Sequence, residues 1–353
     1  MQQYLLDSLH ELQAHLAQSY QLYQVIDNDG DTSWQHVVQA PYGELVSKLP
    51  QSSAKGFFFT EQETLYVFDG QYFRETIPQP EPFVLFGVQS CDLMAIHYQD
   101  IFFEEDPYYQ ARRQQALLVG IDCVQPCQQG FCYLVNAGPG VRDTTADLIL
   151  HPLENSQWLL IVVSERGNAA LHGLTLTPAS SDDKKQRWDN LSQCEHQFGD
   201  HSYILEGIDK LNRDLPSDAF WQQVAVQCIA CSGCTTLCPT CSCYGTQTKV
   251  MVPAAAINSP ETGTEGGEPN GVKSSTVRFW DSCLYEGFQR EASFHNPSEQ
   301  AGDRVKRFWY HKFSHDFVPE FGRYGCIGCG RCEQTCPGVI GVHSVMKRIV
   351  KDA

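Results

Sequence analysis

The chain of 353 residues has room for about two domains of roughly 100–200 residues each. Hydrophobic residues make up 42% and aromatic residues 11%, enough for packed cores, which excludes disorder over most of the chain. The formal net charge of −17 argues against nucleic acid or an anionic membrane surface as the main partner.

The N-terminal residues MQQYLLDSLHELQAHL lack a basic leader and a small-residue cleavage site, so no secretory signal is expected. Leu5, Leu9, Leu12 and Leu16 share helical spacing and predict an amphipathic packing helix. Short apolar runs follow at Gly56–Thr60, Thr64–Asp69, Pro82–Val88, Ala116–Asp122 and Trp158–Ser164, and they read as strands. Cys91–Phe103 reads as a helix after the third of these. Residues 170–220 are polar and read as helical or irregular. Residues 253–275 are rich in Pro, Gly, Ser, Thr and Glu and read as a flexible insertion. Val339–Val350 supplies a last packing helix, with Val342, Val345, Met346 and Val350 on one side. No apolar stretch reaches the ~18 residues of a membrane span.

This order predicts an α+β chain. Residues 1–220 form a mixed α/β domain, and residues 221–353 form a mainly helical, ferredoxin-like module with two clusters. Charge is uneven: residues 1–110 carry 3 bases and 16 acids, and residues 301–353 carry 9 bases and 5 acids. The acidic half is either a solvated face or a docking face.

The 16 cysteines carry the chemistry. A chain expected in the reducing cytoplasm uses cysteines as metal ligands or redox groups rather than as disulfides. Residues 228–239 read CIACSGCTTLCP and residues 326–337 read CIGCGRCEQTCP. Each is C-x2-C-x2-C-x3-C-P, the ligand run of a [4Fe–4S] cluster. Small residues at Ser232, Gly233, Gly328 and Gly330 let backbone amides turn toward the sulfur atoms, and the fourth cysteine is expected to open a helix. In two-cluster ferredoxins that fourth cysteine serves the other cluster. One cluster is thus assigned to Cys228, Cys231, Cys234 and Cys336, and the second to Cys326, Cys329, Cys332 and Cys238. Structural zinc closes with four ligands and has no use for such a run. The 87 residues between Cys238 and Cys326 demand a scaffold larger than a minimal ferredoxin.

Cys91, Cys123, Cys127 and Cys132 lie near strand ends and are candidates for a third [4Fe–4S] cluster, against a reading as scattered buried thiols. Cys241, Cys243 and Cys283 form either a further metal or redox site or packing around the clusters. Cys194 stands alone and receives no role. Arg304, Lys306, Arg307, His311 and Lys312 either offset cluster charge or line a solvated helix face with Phe308 and Phe313 packed inward.

The runs PFVLFGVQSCDLMAI, CIACSGCTTLCPTCSCY, WDSC, HKF and YGCIGCGRC resemble, in the same order, the beta subunits of soluble nickel–iron hydrogenases (sulfhydrogenases). They are also similar to the corresponding iron–sulfur component of anaerobic sulfite reductase. The resemblance covers roughly residues 50 to 345. It implies an electron-transfer subunit placed between a flavin subunit that handles NAD(P)H and a catalytic subunit. Members carry Cys-Phe-Cys where this chain has Gly130-Phe131-Cys132, and Cys127 is the candidate replacement.

No Gly-x-Gly-x-x-Gly fingerprint or P-loop is present, and His97, His201 and His311 show no partner spacing. No catalytic residue is assigned. The alternative to a relay is a redox enzyme in which Cys241, Cys243 and Cys283 do sulfur chemistry beside a cluster.

Overall fold

The computed structural model describes residues 1–40, 42, 45, 46, 48–251 and 273–352. In chain order it contains β1 (Gln2–Leu6), α1 (His10–Leu16), β2 (Gln21–Asn28), β3 (Asp31–His36), β4 (Gln62–Phe68), β5 (Phe73–Glu75) and β6 (Phe83–Gln89). Next come α2 (Ser90–Phe102), α3 (Pro107–Arg113), β7 (Ala116–Ile121), β8 (Leu148–Pro152), β9 (Trp158–Val162), α4 (Glu165–Ala170) and β10 (Thr177–Pro178). Helices α5 (Ser181–Gln197), α6 (Ser202–Asn212), α7 (Asp218–Ala225) and α8 (Gly233–Thr236) lead to β11 (Tyr244–Met251) and β12 (Lys273–Trp280). Helices α9 (Ala301–Phe313), α10 (Val318–Phe321), α11 (Arg331–Thr335) and α12 (Val342–Asp352) follow.

The fold is α+β, as the sequence predicts. An eight-stranded sheet runs β10-β1-β9-β8-β7-β6-β2-β3. Its middle strands β2, β6, β7 and β8 are parallel, and the flanking pairs are antiparallel. Strands β6 and β7 are apolar and buried throughout, as parallel strands covered on both faces must be. Leu85, Leu118 and Ile149 enter the core on one face, and Val84, Phe86, Leu117 and Val119 enter the core on the other.

Gly87 breaks the alternation. Its φ is +82° and the pairing with β7 shifts register between Phe86 and Val88. The bulge turns Val88 onto the face of Leu85 and feeds the chain directly into α2. Cys91, in the first turn of α2, and Cys123, two residues past β7, therefore both lie at the carboxyl edge of the parallel strands.

A second sheet, β11-β12-β4-β5, is antiparallel. It pairs β4 from the N-terminal part of the chain with β12 from beyond residue 220. Buried Arg278 on β12 holds this sheet to α3: its Nε donates to Glu63 at 3.0 Å, and its guanidinium also pairs with Asp106. Arg112 donates to the other Glu63 oxygen at 2.9 Å.

Some elements differ from expectation. Gly56–Thr60 forms no strand. Residues Ala54–Phe57 make a 3-10 turn capped by the Ser53 side chain, and Phe58 and Phe59 fill the core from it. The run is apolar because it is buried, and apolarity without a period does not distinguish strand from turn. Leu5 lies in β1, paired with Leu159 of β9, so the N-terminal helix is limited to α1 with Leu12 and Leu16 buried. The flexible insertion expected at 253–275 lies outside the described residues up to 272, and residues 273–275 begin β12. The last helix is found at α12, with Val342, Val345, Met346 and Ile349 buried. Met346 packs so closely on α6 that a Cβ on Gly207 would stand 2.7 Å from its sulfur.

Gly87→Val places a β-branched residue at positive φ, 2.5 Å from a Leu45 methyl. It is expected to cost about 1–3 kcal/mol, read as a lowered thermal midpoint. An unchanged midpoint would show that the bulge is not needed.

Candidate metal centre

The two cysteine runs fold alike. In the first, Ala230 and Ser232 have φ of +52° and +59°; in the second, Gly328 and Gly330 have +66° and +78°. These are the second residue after the first cysteine and the residue after the second cysteine of each run. The left-handed residues curl each loop so that backbone N–H groups face sulfur. The Gly328 amide donates to Cys326 Sγ at 3.3 Å, and the Ala230, Arg331 and Thr240 amides do the same for Cys228, Cys329 and Cys238. Two non-glycine residues accept the strained conformation in the first run, at a cost of about 1 kcal/mol or more each. The fourth cysteine does not open a helix as expected. Short helices α8 and α11 lie inside the runs, and Cys336 stands at the end of α11 in extended backbone. The third cysteine of each run is carried on that turn, which shortens the reach to the fourth.

Cys228, Cys231, Cys234 and Cys336 line one cavity together. Cys238, Cys326, Cys329 and Cys332 line another. Cys332 borders both. Each lining contains one of the two sets expected from the sequence, the first with Cys332 in addition. Two contacts bring the runs together: Thr240 Oγ1, two residues past Cys238, donates to the Gly325 carbonyl at 2.6 Å, and Gly233 packs against the Thr335 side chain. Among the described residues no three His, Cys, Asp or Glu side chains converge on one metal ion. The thiols surround a volume instead. Thiols ranged around a cavity suit a cubane, whose four iron corners hold the sulfur ligands apart.

Burial raises most of these thiols, Cys234 and Cys326 to about 12, so ligation must release protons. Cys238 behaves in the opposite way. The Cys241 thiol donates to it, and with Lys312 nearby this holds Cys238 well below the usual thiol range despite its burial. Lys312, expected either on a solvated face or near the clusters, is 4% exposed. Its Nζ donates to Thr240 Oγ1 at 3.0 Å. Burial opposes its charge, but Cys238 and Cys241 outweigh that and hold its pKa well above the usual. Phe308 and Phe313 do pack inward, but Arg304, Lys306, Arg307 and His311 are half-buried and Lys312 is buried, so the helix presents no solvated basic face. Arg304 instead donates to the carbonyls of Leu284 and Ser298. A second buried lysine, Lys55, donates to the carbonyls of Thr236 and Cys241 at 2.9 and 3.4 Å. Burial pulls its pKa down, with the neighbouring thiols opposing.

Arg331, between Cys329 and Cys332, forms a bidentate pair with Asp92 at 2.6 and 2.8 Å. Both side chains are 2% exposed. Its Nε also donates to the carbonyls of Pro50 and Gln51. The second run is thereby pinned to α2 of the large sheet.

The structure places the remaining cysteines as follows. Cys241 is buried against Cys238. Cys243 and Cys283 contact each other and line an open cavity with Lys306, Arg307, Tyr310 and His311. Cys123, Cys127 and Cys132 fall in one neighbourhood on the long connection after β7. The charged neighbours of Cys91 are Asp92, Cys132, Cys329 and Arg331. Sequence reasoning missed Lys55, which carries no local motif, and left Cys194, which is buried on α5, without a role.

Residues 227–340 match the 4Fe-4S dicluster domain family, which indicates two [4Fe–4S] clusters in this chain. Over 271 residues the chain is 27% identical to Sulfhydrogenase 2 subunit beta of Pyrococcus furiosus, an alignment spanning 76% of this chain and 74% of that protein. The resemblance read from the motifs is therefore found over most of the chain. No helix among the described residues is long and apolar enough to cross a membrane.

Asp92→Asn leaves the Arg331 guanidinium buried without its counter-charge. It is expected to destabilise the protein by about 3–5 kcal/mol, measured as a lower denaturant midpoint for the iron-loaded chain. A change under about 1 kcal/mol would show that the pair is dispensable.

Proposed function

We propose that this chain is the iron–sulfur subunit of a hydrogenase-type oxidoreductase complex, working in the cytoplasm. In this reading it passes single electrons between a flavin subunit that handles NAD(P)H and a catalytic subunit. Bound [4Fe–4S] clusters supply one-electron acceptance and release. The observation that carries the reading is the pair of cysteine-lined cavities, one with five thiols and one with four, that share Cys332 in their walls, because an electron relay needs neighbouring sites. Cys228, Cys231, Cys234 and Cys336 hold one cluster, and Cys326, Cys329, Cys332 and Cys238 hold the other. The backbone amides at Ala230, Gly328, Arg331 and Thr240 donate to ligand sulfur and tune the potentials. Lys312 and Arg331 place positive charge beside the second set, which favours the reduced, more negative state there.

The similarity to a sulfhydrogenase beta subunit supports the presence of partner subunits. Cys329→Ala is expected to remove about four irons per chain relative to the parent and to abolish one of the signals that dithionite reduction produces in electron paramagnetic resonance. An unchanged iron content would contradict the ligand assignment. Clusters that dithionite cannot reduce reversibly would sink the relay.

A second reading has its own observation. Cys243 lines the open cavity with Cys283, and the hydrogen bond from Cys283, with Lys312 assisting against burial, lowers Cys243 to about 7. A thiolate open to solvent is the requirement for thiol chemistry. Under the relay reading, iodoacetamide labels Cys243 in the iron-loaded chain and electron transfer through the complex continues. Loss of turnover in step with labelling would favour sulfur chemistry.

A further inference from the structure

The two cysteine-lined cavities differ in how they meet solvent. The second is walled by buried and half-buried residues alone. The Phe131 amide donates to the Gly328 carbonyl at 2.8 Å, and a Cβ on Gly330 would stand 2.5 Å from the Gln129 carbonyl. The connection between β7 and β8 thus lies directly on the loops of the second run. The first cavity has Gln227, Ile229, Cys231 and Pro337 in its wall, and all four are exposed. Cys231 is the one exposed thiol among the eight of the two runs. The first site is therefore the one that opens to solvent.

The rim of that opening is apolar. Val226, Ile229 and Val339 are 85%, 70% and 66% exposed. They lie on two segments in direct contact: a Cβ on Gly338 would stand 2.1 Å from the Gln227 carbonyl. Arg348 of α12 stands at the edge and donates to the Gln227 side chain at 3.0 Å. The two segments themselves carry no charge. No Asp, Glu, Lys or Arg occurs from Ala219 to Thr248 or from Gln334 to Met346, in a chain of net charge −17. Val339 is held at φ +52°, a left-handed conformation in which a β-branched residue is an outlier. Strain of this kind clusters at functional sites. With Val339 mostly in solvent, the strain gains this chain little packing of its own.

We propose that the uncharged face of Val226, Ile229, Pro337 and Val339 is the docking site of a second redox subunit, held permanently through an apolar, charge-poor face of its own. The role of this face rests on the relay proposed above, and the first site becomes the end of the relay that meets a partner. Two observations choose this occupant. The face surrounds the exposed side of an electron-carrying site, so a subunit seated on it brings its own one-electron carrier next to Cys231. One electron crosses the interface, and no bond is made or broken. The face also lacks charge. A freely diffusing carrier is steered to its partner by complementary charge, whereas obligate interfaces are more apolar and the cores of interfaces are depleted in charged residues. Apolar side chains left in water around such an opening are stabilised by being covered.

The test is made on the complex isolated anaerobically from the native cells through a tag on this chain, with Val226→Glu and Val339→Gly made in the same chain. The parent is expected to hold a subunit that contains flavin or iron–sulfur. Salt at about 1 M, where the Debye length is about 3 Å, is expected not to release it. Val226→Glu puts a charge into the apolar face and is expected to weaken retention of that subunit at least about tenfold and to slow electron exchange with it. The iron content of the chain and its reduction by dithionite are expected to stay at the parent values. Val339→Gly removes the strain together with the side chain. It is expected to raise the thermal midpoint of the isolated chain while loosening the complex, and it stands in should Val226→Glu fail to fold. Unchanged retention and electron exchange in the variants would overturn the proposal. So would a parent that holds no redox subunit, a homodimer that both variants split, or a partner that salt releases; the last two assign the face to a second copy or to a diffusing carrier. Clusters that dithionite cannot reduce would sink the relay, whereas unchanged retention in the variants would defeat the docking face alone.

Discussion

The buried pair between Arg331 and Asp92 holds the two halves of the molecule in register. Arg331 is placed by the second cysteine run and Asp92 by the helix that leaves the bulge at Gly87. Their bidentate contact, at 2% exposure on both sides, has no room to slide. A buried ion pair adds little net stability over apolar residues of the same shape, but losing one partner is expensive. Its effect is therefore specificity of docking. The further bonds from Arg331 to the Pro50 and Gln51 carbonyls fix a third segment against the same point. The positions of Cys329 and Cys332, which line the second cavity, with Cys332 also in the wall of the first, are set on that docked segment.

The acidic composition hides a local reversal. The chain carries −17 overall, and clusters held by four thiolates add more negative charge. Yet, apart from Arg278 in its pair with Glu63 and Asp106, the most deeply buried cations gather around the cysteines. Lys312 and Lys55 sit near Cys238 and Cys241, and Arg331 sits beside Cys329. Arg323 donates to the carbonyls of Val135 and Cys326 at 3.0 and 3.3 Å. Taking a lysine out of water costs several kcal/mol, and it is tolerated where fixed negative charge awaits it. The same pairing lowers Cys238 against the trend of the other ligands.

Much of the fold was legible because its signals are local. The strands β6, β7 and β9 are apolar runs of strand length, and α2 follows a turn that the bulge sharpens. Gly56–Thr60 misled because a buried 3-10 turn and a buried strand have the same composition. Leu5 fits the helical period of Leu9, Leu12 and Leu16 but pairs instead with β9, since the edge of the sheet offers it ladder hydrogen bonds that an isolated turn of helix lacks. The pairing of β4 with β12, more than 200 residues apart, left no trace in either segment.

The sequence by itself determined the two cysteine runs, because ligand spacing in a ferredoxin-type loop is set by the size of the cluster it must wrap. It also determined the apolar strands, whose burial demands their composition. Only the tertiary structure decided which distant groups meet. It brought Arg331 to Asp92, and put Lys55 and Lys312 beside Cys241. Those contacts arise from helix docking and strand pairing across long separations. Their physical basis is the shape and charge of assembled surfaces, which no short segment of the chain contains.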